Sequence, residues 1–418
     1  MTFKSTLIDI ESGEKTCIDT EDVQVSANQS LFLIRGGNFF TSGFMLKGKT
    51  GSQLVASKAH FNRLTESYKV LYNQTELPFD ESTFNTYVKE AIAANSDQDK
   101  AFIQIFLLGG NSVSIGGDEQ GYQSGFSGNV KTLFIKVAEW SEKPEWVFQE
   151  GLSVLQVPYQ RETALAKPTL YMGGLQSQHL LNAINLHALL ITEKLGGTSG
   201  RIDGLIQELV TDYHQLNPDQ QQSYRYALTD CRYQKAQFST QSVSERYPGL
   251  DEAFYQLIES GRSESALALE SVFTASILHE AMFVSPTSPH FVLEGSTFSF
   301  FALTKAYRWV FLPTTGNSDK PNEGDLLQST SVQMVLDVIK SLDFEYEIRP
   351  IPTEELGQLR RLFAVSSTRF RLTNEEAQFA YISYVNGQKI GAWDAKSESM
   401  HHAVTRQLRR LMLEGPLD

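Results

Sequence analysis

Val292-Leu293-Glu294-Gly295-Ser296-Thr297-Phe298-Ser299 reads as a strand, a turn and a second strand. Apolar residues lead to an acid, a glycine and two hydroxyls, and an aromatic residue restarts the chain. A carboxylate at such a strand end is either an ordinary turn residue or a group held beside a ligand. Company along the chain separates the two readings. Upstream, Leu165-Ala166-Lys167 sets an amine ahead of Tyr171 and an apolar helical run. A nucleophilic lysine must be neutral part of the time, so it needs a partly buried position that lowers its pKa. Leu165 and Tyr171 permit one. At a solvated helix start the same lysine is only a surface charge.

Three further strings suit an anion. In His60-Phe61-Asn62-Arg63-Leu64, Arg63 lies within His60–Leu71, where Phe61, Leu64, Tyr68 and Leu71 form one helical stripe. A guanidinium there either grips phosphate with a planar fork or sits in solvent. Leu327-Gln328-Ser329-Thr330-Ser331 precedes a helix expected from about Ser331 to Leu342. Free N–H groups at Thr330 and Ser331 would favour an anion, and Ser331 is equally a plain N-cap. Val365-Ser366-Ser367-Thr368-Arg369 places three hydroxyls on a tight turn that suits phosphate or carboxylate, or is a turn only.

Composition narrows the class of function. A net charge of -13 over 418 residues argues against nucleic acid, whose phosphates require a basic face. With 41% apolar and 20% charged residues the chain reads as globular with a real core. No run of about 18 apolar residues marks a membrane span. Cys17 and Cys231 match no metal-ligand spacing, so no metal is expected, and a reduced cytoplasm fits them. Met1-Thr2-Phe3-Lys4-Ser5 starts no signal-peptide hydrophobic region.

The length predicts two domains: an α/β unit over 1–145 and a second over 150–418. Ala138-Glu139-Trp140-Ser141-Glu142-Lys143-Pro144 reads as their connection. Strands are expected at 31–34, 39–40, 44–46, 101–108 and 154–157, and helices at 175–195, 203–214, 251–260 and 266–278. Gly109 to Gly128 reads as a Gly/Ser-rich loop, and 313–325 as another loop. Gly196-Gly197-Thr198-Ser199-Gly200 lacks the Gly-Lys-Ser/Thr ending of a nucleotide loop and reads as a helix stop.

A lysine able to form a Schiff base, an acid able to hold a ring nitrogen and several anion sites are what pyridoxal phosphate chemistry requires. In their order along the chain these strings resemble the class IV aminotransferases, the fold-type IV pyridoxal phosphate enzymes. That group includes branched-chain and D-amino-acid aminotransferases and aminodeoxychorismate lyases. Gly36-Gly37-Asn38-Phe39-Phe40-Thr41-Ser42, His60, Arg63 and Leu64, and His279-Glu280-Ala281-Met282-Phe283-Val284 all echo family strings. So do Val292 to Ser296, Phe363 to Thr368, Val385-Asn386-Gly387-Gln388-Lys389-Ile390-Gly391 and Thr405-Arg406-Gln407-Leu408. The resemblance covers nearly the whole chain except about 175–265.

The resemblance implies an α+β, two-domain fold with the cofactor between the domains. The second domain would be interrupted by a helical insertion at about 175–265, because Lys167 and Glu294 lie 294 − 167 = 127 positions apart, farther than the family's pattern. It implies Lys167 as the aldimine lysine and proton shuttle, and Glu294 as partner of the pyridine nitrogen. Arg63, Thr330, Ser331, Ser367 and Thr368 would hold the phosphate. The cofactor would be pyridoxal 5'-phosphate and the partners a small amino donor, a 2-oxo acid acceptor and a second copy of the chain. Departures leave the reaction open. Thr41, where aminotransferases often carry Glu, leans toward a lyase. Pro168 follows the lysine, Phe298 stands where a small residue is usual and would narrow the pocket, and Ser329 replaces a Gly; these three motivate a non-catalytic binding protein as a further reading. Residues 106–128 hold neither Arg nor His, against a D-alanine-type carboxylate trap. Arg369 or Arg161 would then bind a carboxylate, or serve only as a surface or supporting residue.

Overall fold

The computed structural model describes residues 3–22, 38–49, 51–72, 74–109, 130–140, 142–143, 145–159, 166, 181, 279–286, 290–314, 326, 328–386 and 388–414. The expected strand at 31–34, the loop over 109–128 beyond Gly109, the helices at 203–214, 251–260 and 266–278, and nearly all of 175–195 lie outside these residues.

The first sheet is wholly antiparallel. It comprises β1 (Lys4–Asp9), β2 (Lys15–Asp19), β3 (Phe39–Gly48), β4 (Gly51–Leu54), β5 (Lys100–Gly109) and β6 (Val130–Ala138), in the order β2-β1-β6-β5-β3-β4. Alternation sets its faces. Phe39 and Met45 join Ile103, Ile105, Leu107, Leu133, Ile135 and Val137 in one buried layer beneath helices α1 (Ser57–Tyr72) and α2 (Glu81–Ala93). Asp80 caps α2 by accepting from the Thr83 N–H at 2.8 Å, and hydrogen bonds from the Thr83 side chain and then its N–H hold the carboxyl below the ordinary value. Phe84, Val88, Ala91 and Ile92 then repeat at helical spacing toward the sheet.

The second sheet closes on itself. Its strands are β7 (Leu152–Pro158), β8 (Glu280–Val284), β9 (Val292–Gly295), β10 (Ser299–Thr304), β11 (Trp309–Phe311), β12 (Tyr346–Ile348), β13 (Leu359–Val365), β14 (Phe370–Leu372), β15 (Ala377–Val385) and β16 (Gln388–Lys389). The order β12-β11-β10-β13-β15-β7-β8-β9 has one further pairing, Ser299↔Glu294, which joins β9 back to β10. Strands β10, β13, β15, β7, β8 and β9 therefore form a closed barrel, sealed at one residue pair. Cross-strand partners share a face, so Ala302, Leu362, Ile382 and Leu152 line the inside in register. Phe301, Phe363, Val365 and Phe379 face outward, beneath α3 (Thr330–Ser341) and α4 (Ala395–Glu414).

That outer layer is also where the two sheets meet. Phe44, Leu46 and Val55 share one core with Phe301, Phe363, Val335 and Leu408. Trp140, in the stretch that reads as a connection, is buried there and stacks on Phe44 at 5.1 Å, while Phe370 meets Phe44 edge-on at 5.9 Å. Each large side chain buried this way is worth about 1.5–3 kcal/mol. The ion pair Lys49–Glu414, between the first sheet and α4, is largely exposed and contributes at most about 1 kcal/mol. The aromatic core, not charge, joins the halves. Among the described residues no helix is long and apolar enough to cross a membrane.

Candidate functional site

Three of the chemistry-bearing strings, those of Glu294, Thr330–Ser331 and Ser366–Thr368, lie at one end of the barrel. Strand β9 ends at Gly295, β10 starts at Ser299 and β13 ends at Val365, with Glu294↔Ser299↔Val365 in register. Two strand spacings, about 10 Å, therefore separate the Glu294 and Val365 backbones. The Ser366–Arg369 turn follows Val365 immediately and is closed by the Arg369 N–H to the Ser366 carbonyl at 2.9 Å. Helix α3 starts at the same end. Strand β11 runs antiparallel to β10 and finishes there, and Leu326, three residues before the N-cap, bridges to Thr314 just beyond it. The helix then returns along the outer face, and its far end leads into β12 beside Trp309.

On the outer face Glu294 is half-buried, in the row that contains Ser299 and Val365. Thr330, Ser331 and Ser367 are buried, and Thr368 is half-buried. Ser329, not Ser331, is the N-cap of α3: its hydroxyl accepts from the Val332 N–H at 3.4 Å. Ser331 is thus released from capping. The side chain at 329, where a glycine was expected by resemblance, serves the helix. Among the described residues the hydroxyls of Thr330, Ser331 and Ser367 have no hydrogen-bond partner. The residues are buried as a whole, yet none of these oxygens is among the sealed, unpaired atoms, so hydroxyls left open at a helix start and at the neighbouring turn are free to meet an anion's oxygens.

Arg63 sits half-buried on α1, and α1 packs against α3. Its helix is pinned one turn earlier, where His60 Nδ1 and the Thr41 hydroxyl lie 2.7 Å apart. Gly43 makes room for that ring; a Cβ there would stand 2.6 Å from His60 Nε2. Thr41 belongs to the helix-facing side of β3, where its hydroxyl meets His60. Lys167 and Arg161 lie outside the described residues, although Ala166, immediately before the lysine, is completely buried.

The inner face of the same strand ends is different. Glu280 lies inside the barrel, level with Val154, and is 6% exposed; Arg369 is 4% exposed. Arg369 Nη2 donates to Glu280 and, at 3.2 Å, to the Thr297 hydroxyl, while the Ser296 hydroxyl donates to the other Glu280 oxygen. The guanidinium lies 4.6 Å over the Phe298 ring. Arg369 is therefore paired and enclosed inside the barrel, with its Nε left without a partner. Phe298 also departs from expectation. Its ring occupies the place of a Gly295 side chain, 2.4 Å from an added Cβ, and meets Phe300 edge-on at 4.9 Å. Gly295 and Glu294 point to opposite faces, so Phe298 fills the barrel on the side away from Glu294. Sequence reading missed the Glu280–Arg369 pair. The available signal was a lone carboxylate heading the apolar strand Glu280-Ala281-Met282-Phe283-Val284.

No family model matches this chain, and no curated protein matches it. Solved structures do. A branched-chain aminotransferase of Thermoproteus uzoniensis with norvaline aligns at a TM-score of 0.55 and 14% identity over 99% of this chain and 96% of that one. The Escherichia coli branched-chain aminotransferase aligns at 0.56 and 11% identity over 100% and 97%. A hypothetical aminotransferase of Mycobacterium tuberculosis in its PLP-bound form aligns at 0.51 and 12% over 99% and 100%. The chain has the α+β fold of the fold-type IV aminotransferases.

Proposed function

We propose that the protein is a pyridoxal phosphate-dependent aminotransferase that moves an amino group between a small amine or amino acid and a 2-oxo acid. The observation that carries this reading is the outer barrel end: Glu294, the start of α3 and the Ser366–Thr368 turn lie there together, and the hydroxyls of Thr330, Ser331 and Ser367 lack partners among the described residues. When bound, the cofactor supplies an electron sink for the carbanion that the amino acid becomes. The protein's own residues do the rest. Thr330, Ser331, Ser367 and Thr368 would donate to the phosphate oxygens, with the α3 N–H groups behind them. Arg63 would complete the charge balance. Glu294 would keep the ring nitrogen protonated by accepting its proton's hydrogen bond. Lys167 would hold the cofactor covalently and afterwards carry the proton. The fold and its neighbours, which include a PLP-bound form, support the cofactor. A homodimer is part of the proposal, as is the two-domain division at about 145–150 with an insertion over 175–265.

Purified protein mixed with pyridoxal phosphate should show a visible absorption band that Lys167→Ala abolishes, and should transfer an amino group to a 2-oxo acid. A band without transfer, accompanied by pyruvate release from an amino-substituted chorismate, would favour the lyase. No band at any cofactor concentration would leave a binding protein on this fold.

A further inference from the structure

The barrel is sealed weakly where it matters. Strands β9 and β10 meet at the single pair Ser299↔Glu294, and their connection is held by one 2.8 Å bond from the Gly295 N–H to the Phe298 carbonyl. The Ser296 N–H reaches the Ala281 carbonyl at 3.2 Å. Backbone pairing joins the hairpin to β13 as far as Ser299↔Val365. Past that pair, Glu280 and Arg369 link the connection to the Ser366–Arg369 turn through side chains. Glu280 comes from β8, Arg369 closes the turn after β13, and their remaining hydrogen bonds go to Ser296 and Thr297 in the connection itself. Three segments are thereby fastened by charge-assisted, directional bonds.

We propose that Glu280 and Arg369 are a positioning pair: from inside the barrel they fix the separation of Glu294 from Ser367 and Thr368 outside it, and so set how tightly the site holds a phosphorylated pyridine. The inference rests on the reading of the outer face given above. Both residues are enclosed on the opposite side of the strands, so neither touches the ligand. Their effect passes through the backbone of residues 294–299 and 366–369. The pair is also a costly way to fill a barrel. Two apolar residues of similar volume often serve stability as well or better, but they would carry no directional link to Ser296 or Thr297.

That difference supplies the test. Wild-type apoprotein and the double variant Glu280→Met/Arg369→Met are titrated with pyridoxal phosphate by tryptophan fluorescence. Thermal midpoints without cofactor and the pH midpoint of the bound cofactor's visible band are measured alongside. The expected result is a folded double variant that binds the cofactor roughly tenfold more loosely or worse, the scale on which outer partners of metal ligands act, with a displaced band midpoint. A smaller loss of affinity overturns the proposal. If the double variant does not fold, Ser296→Ala/Thr297→Val decides on the same threshold, since it cuts only the link to the connection. Wild-type protein that binds no pyridoxal phosphate sinks the reading of the outer face itself; wild-type binding with unaltered variants sinks the positioning pair alone.

Discussion

Inside and outside the same barrel end, two polar clusters are built on opposite principles. Inside, Glu280, Arg369, Ser296 and Thr297 hydrogen-bond to one another beneath Phe298, with the Arg369 Nε left over. Outside, at the same barrel end, Thr330, Ser331 and Ser367 are buried residues whose hydroxyls have no protein partner among the described residues and are not sealed off. Burial alone therefore says nothing about function. A polar cluster that completes its own hydrogen bonds holds the fold, and one that leaves them open awaits a guest.

The sharpest way to break this contrast is to open the inner cluster. Arg369→Met leaves the Glu280 carboxylate buried without its cation, and removal of one member of a buried pair costs about 3–5 kcal/mol. Urea unfolding of the cofactor-free protein should show a loss of that size; a loss under about 1 kcal/mol, the level of an exposed pair, would mean the inner cluster is not a structural unit. Next in size is Gly295→Ala. Its Cβ would stand 2.4 Å from the Phe298 ring, and such overpacking costs about 1–3 kcal/mol. Phe298→Leu should recover most of the loss in the double variant, because the two residues share one space. Additive losses would refute the placement of Phe298 inside the barrel.

A third prediction limits the contrast to the barrel end. Farther along the outer face His401 lies on the Phe363 ring at 5.6 Å, with interplanar angle 4°, and edge-on to Phe379 and Trp393. Burial, then the nearby Arg361 charge, pushes its pKa down to about 3 from an ordinary 6.5. Glu376 opposes this weakly and exposed His402 adds to it. In this window the unfolded chain takes up a proton that the folded chain refuses. Stability is therefore full above about pH 6.5 and falls as the pH drops toward 3, by up to about 1.4 kcal/mol per unit. His401→Leu should flatten that slope in denaturation curves measured between pH 5 and 6.5. An unchanged slope would place the acid sensitivity elsewhere.

Much of this architecture is local and was legible. The stripe Phe61, Leu64, Tyr68 and Leu71 is a helix, Ala101 to Leu108 is a strand, and the turn at Glu294–Ser299 joins two strands as its composition indicates. What the sequence hides is pairing across distance. Glu280 and Arg369 are 89 positions apart, and neither residue's neighbours advertise the other. The barrel closes at one residue pair, too small a feature to leave a periodic trace. Phe298 was misjudged because alternation does not say which face is the pocket when a three-residue turn intervenes. The choice between Ser329 and Ser331 as N-cap depended on where the first helical turn begins, and both flank Thr330 with identical chemistry. Thr41 was informative for a different reason than its place in a motif: its hydroxyl meets His60 at 2.7 Å below the sheet.

The smallest expected effect tests the contrast most directly. Ser331→Ala and Ser367→Ala each delete a hydroxyl that the described protein does not use. Without cofactor, neither change removes a hydrogen bond, so stability should move by no more than about 0.5 kcal/mol. With pyridoxal phosphate present, each deletion should instead weaken binding by about 1 kcal/mol, or roughly fivefold. Ser296→Ala should show the reverse pattern in the absence of cofactor, because its hydroxyl is committed to Glu280. Calorimetric unfolding and cofactor titration on the three single variants separate these outcomes. Equal destabilisation of all three would erase the distinction between the two clusters, since a hydroxyl that holds the fold cannot also be one that waits for a phosphate.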